Sequence, residues 1–221
     1  MVIPSRIKTI GNFVNENDVV ADVGADHGLL ELYLLAKYPN VKVVAIENKI
    51  GPYKILDNNL RCFRNIRLSL SDGLTAVDST VNTVVIAGMG GLNIKKILNN
   101  HPAKCKKIDK FIIDAHRDID VARKSIIKYG FKIEKEVLVY EQKKYYVISE
   151  FVKTKEVPNY SEDELQIGLK LYENNLWPNY RDYLIQTNNR TIEKIKDNVN
   201  MQDKVLKLQK FNERLLNYGK N

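Results

Sequence analysis

Short apolar runs alternate with amphipathic stretches as far as about residue 128. The apolar runs predict β-strands over residues 19–23, 41–47, 66–71, 81–87 and 111–114. The stretches between them predict helices over residues 29–37, 51–63, 92–99 and 119–129. Because strands separated by helices pair in parallel, the pattern predicts an α/β fold with helices on both faces of the sheet.

The pattern changes in the last third of the chain. Residues 132–140 and 145–152 predict a hairpin, so that the sheet ends in an antiparallel pair. Pro158 marks a linker, and beyond it an acidic helix start at Ser161 precedes apolar residues at helical spacing, with a bend over residues 198–202. We therefore predict an α/β domain over residues 1–155 and a small, coiled-coil-like helical module over residues 156–221.

A glycine turn with acidic residues joins the first strand to the first helix in the sequence VADVGADHGLL. Gly24 allows close approach of a ligand, and the helix that begins near Gly28 offers free N–H groups. The dinucleotide pattern G-x-G-x-x-G is absent, and Asp22 and Asp26 would repel a pyrophosphate. They suit a cationic ligand such as S-adenosyl-L-methionine, with its sulfonium and α-amino groups. The alternative is a plain turn in which Asp26 caps the helix.

Two further acids follow the next two strands. Glu47 ends the second strand, where it can accept hydrogen bonds from ribose hydroxyl groups. Asp72, followed by Gly73, comes after the third strand, where it can accept from the amine of an adenine. A solvated strand end and an ordinary Asp-Gly turn are the alternatives. Acids after three successive strands favour one nucleoside-like ligand.

The fourth strand ends in the glycine-rich sequence IAGMGG, residues 86–91. Glycines let the backbone and a ligand approach each other closely. An enzyme that binds a flat base beside a methyl donor needs a strand end of this kind, with few side chains in the way. A loose connection between strand and helix is the alternative.

Taken together, these motifs closely resemble one family. The run ADVGADHGLL, the acid Glu47, the pair Gly51-Pro52, RLSLSDGL and AGMGG are similar to those of bacterial tRNA adenine-N1 methyltransferases that act on position 22, the TrmK family. The resemblance runs from about Arg6 to Val152. It implies a Rossmann-like methyltransferase domain with a C-terminal coiled-coil module, which uses S-adenosyl-L-methionine on tRNA. After the fifth strand the family has Gln-Pro, whereas this chain has Asp114-Ala115-His116, and no role is carried over there.

Motif chemistry and resemblance together give the candidate site. Adenine N1 has a lone pair, so methylation can rest on positioning and charge stabilisation. We predict Asp26 as the catalytic residue; His27 is the alternative proton acceptor, although a structural role is favoured for it. The predicted cofactor site comprises Asp22, Gly24, Asp26, His27, Gly28, Glu47, Asp72, Gly73, Ala87, Gly88, Met89 and Gly90. The predicted substrate contacts are Arg6, Met89, Gly90 and Gly91.

The formal charge of +8 agrees with an acidic partner such as nucleic acid, although codon bias toward A and T, which enriches lysine, is an alternative source. Lys8, Arg117 and Arg123 are further candidates for phosphate contacts. A solvated face is the favoured interpretation of the basic run Lys104, Lys106, Lys107 and Lys110. Packing is the favoured role of Tyr172, Trp177 and Tyr180, with stacking on bases as the alternative.

Composition also limits the class of protein. No apolar run reaches the roughly 18 residues of a membrane span, and the two cysteines match no metal spacing. We expect a cytoplasmic monomer without a metal. The competing hypotheses are a methyltransferase for another RNA, a small molecule or a protein, a non-catalytic nucleotide- or RNA-binding module, and a nicotinamide oxidoreductase, which the missing glycine pattern disfavours.

Overall fold

Seven strands form one sheet in the order β3-β2-β1-β4-β5-β7-β6 in the computed structural model, which describes residues 2–156 and 158–220. The strands are β1 (Val19–Val23), β2 (Lys42–Glu47), β3 (Ile66–Leu70), β4 (Thr83–Gly90), β5 (Lys110–Arg117), β6 (Phe131–Glu141) and β7 (Lys144–Lys153). The first five run parallel, and β7 pairs antiparallel with both β5 and β6. The predicted α/β class, a Rossmann-like sheet with a terminal hairpin, is confirmed.

Helices connect and cover these strands. In chain order they are α1 (Ser5–Asn12), α2 (Leu29–Lys37), α3 (Ile50–Leu60), α4 (Gly91–Asn100), the one-turn α5 (Pro102–Cys105), α6 (Ile119–Ile127), α7 (Glu162–Gln166), α8 (Trp177–Ile195) and α9 (Gln202–Asn217). The sequence pattern did not predict α1, which is short and buries only Ile10 and Gly11. This helix matters for function because it carries Arg6.

The central strands are buried because helices cover both faces of the sheet. Along β4, residues Val84, Val85 and Ile86 are fully buried, as continuous apolar runs in parallel sheets require. The same core encloses several charged groups, among them Asp22, Glu31 and Asp114. Burial of a charge is costly unless the group is paired or neutralised, so these residues need a specific explanation.

Two of the basic candidates are structural, which corrects their interpretation as solvated or phosphate-binding groups. Arg123 is 1% exposed and donates from Nε to Glu136 Oε1 over 2.9 Å. Lys110 is also buried, donates to the Phe13 carbonyl over 2.9 Å, and pairs with Asp18 at 2.5 Å. Neither side chain is available to a phosphate group in this fold.

The chain divides into two compact units between Asn159 and Tyr160, a few residues beyond the predicted boundary. Residue 157, in the predicted linker, lies outside the described residues. The first unit contains the whole sheet. The second consists of α7, α8 and α9 with short 3-10 turns, including Val199–Met201 at the predicted bend.

The start and the aromatic core of the second unit follow from its sequence. Ser161 and Glu164 form a capping box at the start of α7. Trp177 and Tyr180 are buried, and Trp177 contacts the ring of Tyr218 at a centroid distance of 5.3 Å. The predicted packing role of these two aromatic residues is confirmed.

Candidate active site

The turn after β1 is built from left-handed backbone positions. Gly24 has φ +87°, Asp26 +49° and Gly28 +78°. The amides of Gly24 and Ala25 both donate to the Ile46 carbonyl, over 2.8 and 3.0 Å, which ties the turn to the end of β2. A Cβ on Gly24 would lie 2.6 Å from Met89 Cε. The backbone angle therefore favours glycine here, whereas the flexible end of Met89 could move aside for a Cβ.

Asp26 does not cap the following helix, which excludes the alternative interpretation of this residue. The N-cap of α2 is Gly28, and no side chain bonds to the first turn. The Asp26 side chain is 62% exposed, and its Oδ1 lies 2.8 Å from Nδ1 of His27. Asp26 thus presents a carboxylate to the cleft from a backbone position that Asp and Asn tolerate better than most residues.

The acids after β2 and β3 are linked by the residue between them. Glu47 is buried, and its Oε1 accepts from the amides of Asn48 and Lys49 over 3.0 and 2.9 Å. Asp72 Oδ1 accepts from the Asn48 side-chain amide over 3.3 Å. The two acids are thereby held at the same edge of the sheet, as their positions in the sequence predict.

Two adjoining cavities lie at this edge, the carboxyl end of the parallel strands. The larger, of about 440 Å³, is lined by nine of the predicted site residues: Arg6, Asp22, Gly24, Asp26, His27, Glu47, Ala87, Gly88 and Met89. The smaller, of about 330 Å³, is lined by Asp72 and Gly73 among others. Both cavities include Gly24, Asn48, Lys49 and Met89, so they form one continuous cleft. Ligands of open α/β sheets bind at this edge.

Three predicted glycines, Gly28, Gly90 and Gly91, line neither cavity. A Cβ on Gly91 would lie 1.9 Å from the Asp118 carbonyl oxygen, so this glycine lets the start of α4 pack against the start of α6. A Cβ on Gly90 would meet Arg117 Nε at 3.0 Å. The glycine run thus serves packing at its end and faces the cleft only at Gly88 and Met89.

Asp22 and Glu31 form a buried carboxyl pair in the wall of the larger cavity. Burial raises the pKa of Asp22 to about 7, against a hydrogen bond with Glu31 and the charge of Arg6, which lower it. Burial and the Asp22 charge together raise the pKa of Glu31 well above its ordinary value. Neither carboxyl oxygen of Glu31 accepts a hydrogen bond from another described residue, so nothing there offsets the cost of burying its charge. Burial therefore favours the protonated form of this pair.

A second cluster stands where the family pattern is broken. Asp114 is fully buried; its Oδ2 accepts a hydrogen bond from Arg6 Nη1 and lies 3.6 Å from His116 Nε2. Its Oδ1 is buried without a hydrogen-bond partner in the described part of the chain. Tyr146 completes the cluster, with the Arg6 Cζ 5.2 Å from its ring centroid and the His116 ring at 5.4 Å. Arg6 and His116 line the larger cavity.

Sequence reasoning assigned no role to Glu31, Asp114 or His116. Glu31 is the only charged residue in the apolar stretch LLELYLLA, and Asp114 ends the apolar stretch FIID. A lone acid in a buried element is therefore a signal that could have identified both positions.

Comparison with known proteins agrees with this geometry. The model of a methyltransferase domain matches residues 3–149. A Mycoplasma genitalium protein, provisionally named a tRNA methyltransferase, is 30% identical over 173 residues, which are 75% of this chain and 77% of that protein. The tRNA (adenine(22)-N(1))-methyltransferase of Bacillus subtilis is 25% identical over 149 residues, 65% of this chain and 62% of the relative.

The chain belongs to the TrmK family of methyltransferases. The resemblance inferred from its motifs is thus confirmed. The structure of M. capricolum TrmK, solved with S-adenosyl-homocysteine, has the same fold, with a TM-score of 0.84, 24% identity and coverage of 99% of this chain and 98% of that one.

Among the described residues, no helix is long and apolar enough to cross a membrane. No group of three or more His, Cys, Asp or Glu side chains in the same part of the chain could hold a metal ion.

Proposed function

We propose that this protein transfers the methyl group of S-adenosyl-L-methionine to N1 of the adenine at position 22 of tRNA. The observation that carries the proposal is the acid-lined cleft at the carboxyl edge of the sheet, in a chain of the TrmK family. The B. subtilis relative bears the name of this activity, and the M. capricolum structure contains the demethylated cofactor product.

The residues of the cleft fit S-adenosyl-L-methionine. Gly24 lines both cavities and has no side chain, so the ligand can lie against the backbone there. Asp22 can meet the α-amino group, and Glu47 can accept from the ribose, because one of its oxygens already holds two amides that fix the carboxylate in place. Asp72, in the smaller cavity, can accept from the adenine amine.

The chemistry requires positioning and charge stabilisation rather than a base. S-adenosyl-L-methionine supplies a methyl group on a sulfonium; the N1 lone pair forms the new bond, the carbon–sulfur bond breaks, and a thioether and a cationic base result. Asp26 presents its carboxylate to the larger cavity, where it can orient the base and stabilise the developing positive charge. No proton has to leave before the transfer.

The target base must leave its stack to reach this cleft, since pairing masks N1. The exposed side chains of Lys8 and Arg117, both in the first unit, are available for phosphate contacts. A cytoplasmic location and a monomeric state remain predictions from composition.

Methyl transfer to two matched tRNA transcripts tests the proposal. One transcript carries adenine at position 22 and the other guanine, and both are incubated with the protein and S-adenosyl-L-methionine labelled in its methyl group. We expect label in the adenine transcript alone, recovered by mass spectrometry as 1-methyladenosine. Equal labelling of both transcripts, or none in either, would overturn the proposal.

A further inference from the structure

Arg6 and His116 line the larger cavity directly beside Gly88. Gly88 has φ +77°, and a Cβ there would lie 3.9 Å from His116 Cε1 and 4.0 Å from Arg6 Nη1. The register between β4 and β5 shifts at Met89, so the ladder is irregular beside this wall. A flat group bound in this cavity beside Gly88 would therefore lie within reach of the His116 ring.

The surroundings of His116 favour one arrangement of its ring nitrogens. Nε2 is the nitrogen near the buried Asp114 carboxylate, at 3.6 Å, and the ring packs edge-on against Tyr146. In the neutral form of the imidazole, attraction to this carboxylate, at more than hydrogen-bond distance, favours the proton on Nε2. Nδ1 is then left with a lone pair, and it can accept a hydrogen bond.

Asp114 is held in place independently of any ligand. It is fully buried, and Arg6 from α1 both bonds to it and stacks over Tyr146. The positive charge of Arg6 pairs with the Asp114 carboxylate, and without this partner the burial of that charge would be costly. Arg6 and Asp114 can therefore orient His116, whose side chain is 42% exposed and lines the larger cavity.

We propose that His116 determines base specificity by accepting a hydrogen bond at Nδ1 from the N6 amine of the target adenine, with Asp114 and Arg6 as positioning residues. The inference rests on the proposed function and deepens it. Adenine carries an amine donor next to N1, whereas guanine carries the acceptor O6 in that place. An acceptor in the wall therefore favours adenine and opposes guanine. A site that accepts a hydrogen bond from a substrate N–H discriminates strongly against a base without that N–H, because the acceptor in the site is then left unpaired.

The test compares two tRNAs that differ only in the exocyclic amine. One carries adenosine at the target position and the other carries purine riboside, which lacks the amine but keeps N1. The affinity of the full-length protein for each tRNA is measured with S-adenosylhomocysteine present, so that no turnover is needed. We expect wild type to prefer adenosine by roughly three- to tenfold, the magnitude of one hydrogen bond.

His116→Ala should abolish this preference, and His116→Gln, whose side-chain carbonyl is an acceptor, should restore part of it. Arg117→Ala is the control: this neighbour is 80% exposed, and loss of a phosphate contact would weaken both complexes equally. His116→Ala should also slow single-turnover methylation of the adenosine tRNA at least tenfold, with an unchanged melting temperature and an unchanged affinity for S-adenosylhomocysteine.

The two proposals fail in different ways. If wild type methylates no tRNA, the proposed function is wrong. If wild type methylates adenine 22 but binds both tRNAs equally, or if His116→Ala keeps the preference for adenosine, then only the role of His116 is overturned.

Discussion

The carboxyl groups of Asp22 and Glu31 lie buried in the wall of the cleft, and burial raises the pKa of both. Glu31 lies in α2 and is fully buried, whereas Asp22 lines the larger cavity. The pair therefore connects the stability of the fold to the charge that Asp22 presents to the larger cavity. Arg6 and Glu47 are the other charged groups that act on Asp22.

Glu31→Gln should make the free energy of unfolding less dependent on pH. In the unfolded chain the Asp22 carboxyl titrates near 3.8, and in the fold near 7, so the folded state binds more protons between these values. The protonated Asp22 carboxyl therefore contributes to the free energy of unfolding at low pH, and this contribution is lost as the pH rises through about 7. A Gln amide can donate to Asp22 without holding a titrating proton. We expect the variant to match wild type near pH 4.5 and to exceed it by about 1–3 kcal/mol at pH 8. Thermal melting at both pH values measures this, and parallel pH curves for the two proteins would contradict it.

Glu47→Ala should weaken binding of S-adenosyl-L-methionine. Removal of a buried charged acceptor costs about 1–3 kcal/mol, or roughly a 5- to 150-fold weaker Kd. Glu47 also accepts the amides of Asn48 and Lys49, so Glu47→Gln serves as a control that keeps an acceptor for them. We expect Glu47→Gln to retain part of the affinity. Calorimetry measures both variants, and unchanged affinity in Glu47→Ala would remove this residue from the site.

Asp26→Asn should slow methylation with little effect on folding. Asp26 has a positive φ that Asn tolerates, and the N-cap of α2 is Gly28 rather than Asp26. The melting temperature should therefore stay unchanged. The loss of one preorganised charged group costs roughly 10²–10³ in turnover. We expect near-normal affinity for donor and tRNA and a single-turnover rate lower by about two orders of magnitude. A rate within about threefold of wild type, a barrier change below roughly 0.7 kcal/mol, would show that Asp26 is not catalytic.

A chain that ends at Asn159 should bind the donor normally and tRNA poorly. The whole cleft lies in the first compact unit, which contains its own core, whereas tRNA is far larger than the cleft. Thermal melting establishes that the shortened chain folds, and calorimetry establishes donor binding. Binding of tRNA to the full-length protein should also weaken steeply with added salt. Methylation by the shortened chain at the wild-type rate under low tRNA concentration would contradict a tRNA-binding role for residues 160–221.

The sequence by itself determined the strands, most of the helices and the acids at the strand ends. Apolar periodicity and glycine turns are local properties, and Glu47 and Asp72 follow strands whose carboxyl ends meet wherever a parallel sheet forms. The family motifs, which lie in the same short turns, were readable for the same reason.

Only the tertiary structure decided which buried charges meet. Arg6 and Asp114 are 108 residues apart, and they pair because α1 packs near the end of β5. Glu31 in α2 lies near Asp22 in β1, and Gly91 serves packing because α6 begins next to it. Arg123 and Lys110 read as surface charges in the sequence, yet each is buried beside an acid. Such partners depend on the order of strands and the faces of helices, which no local pattern contains.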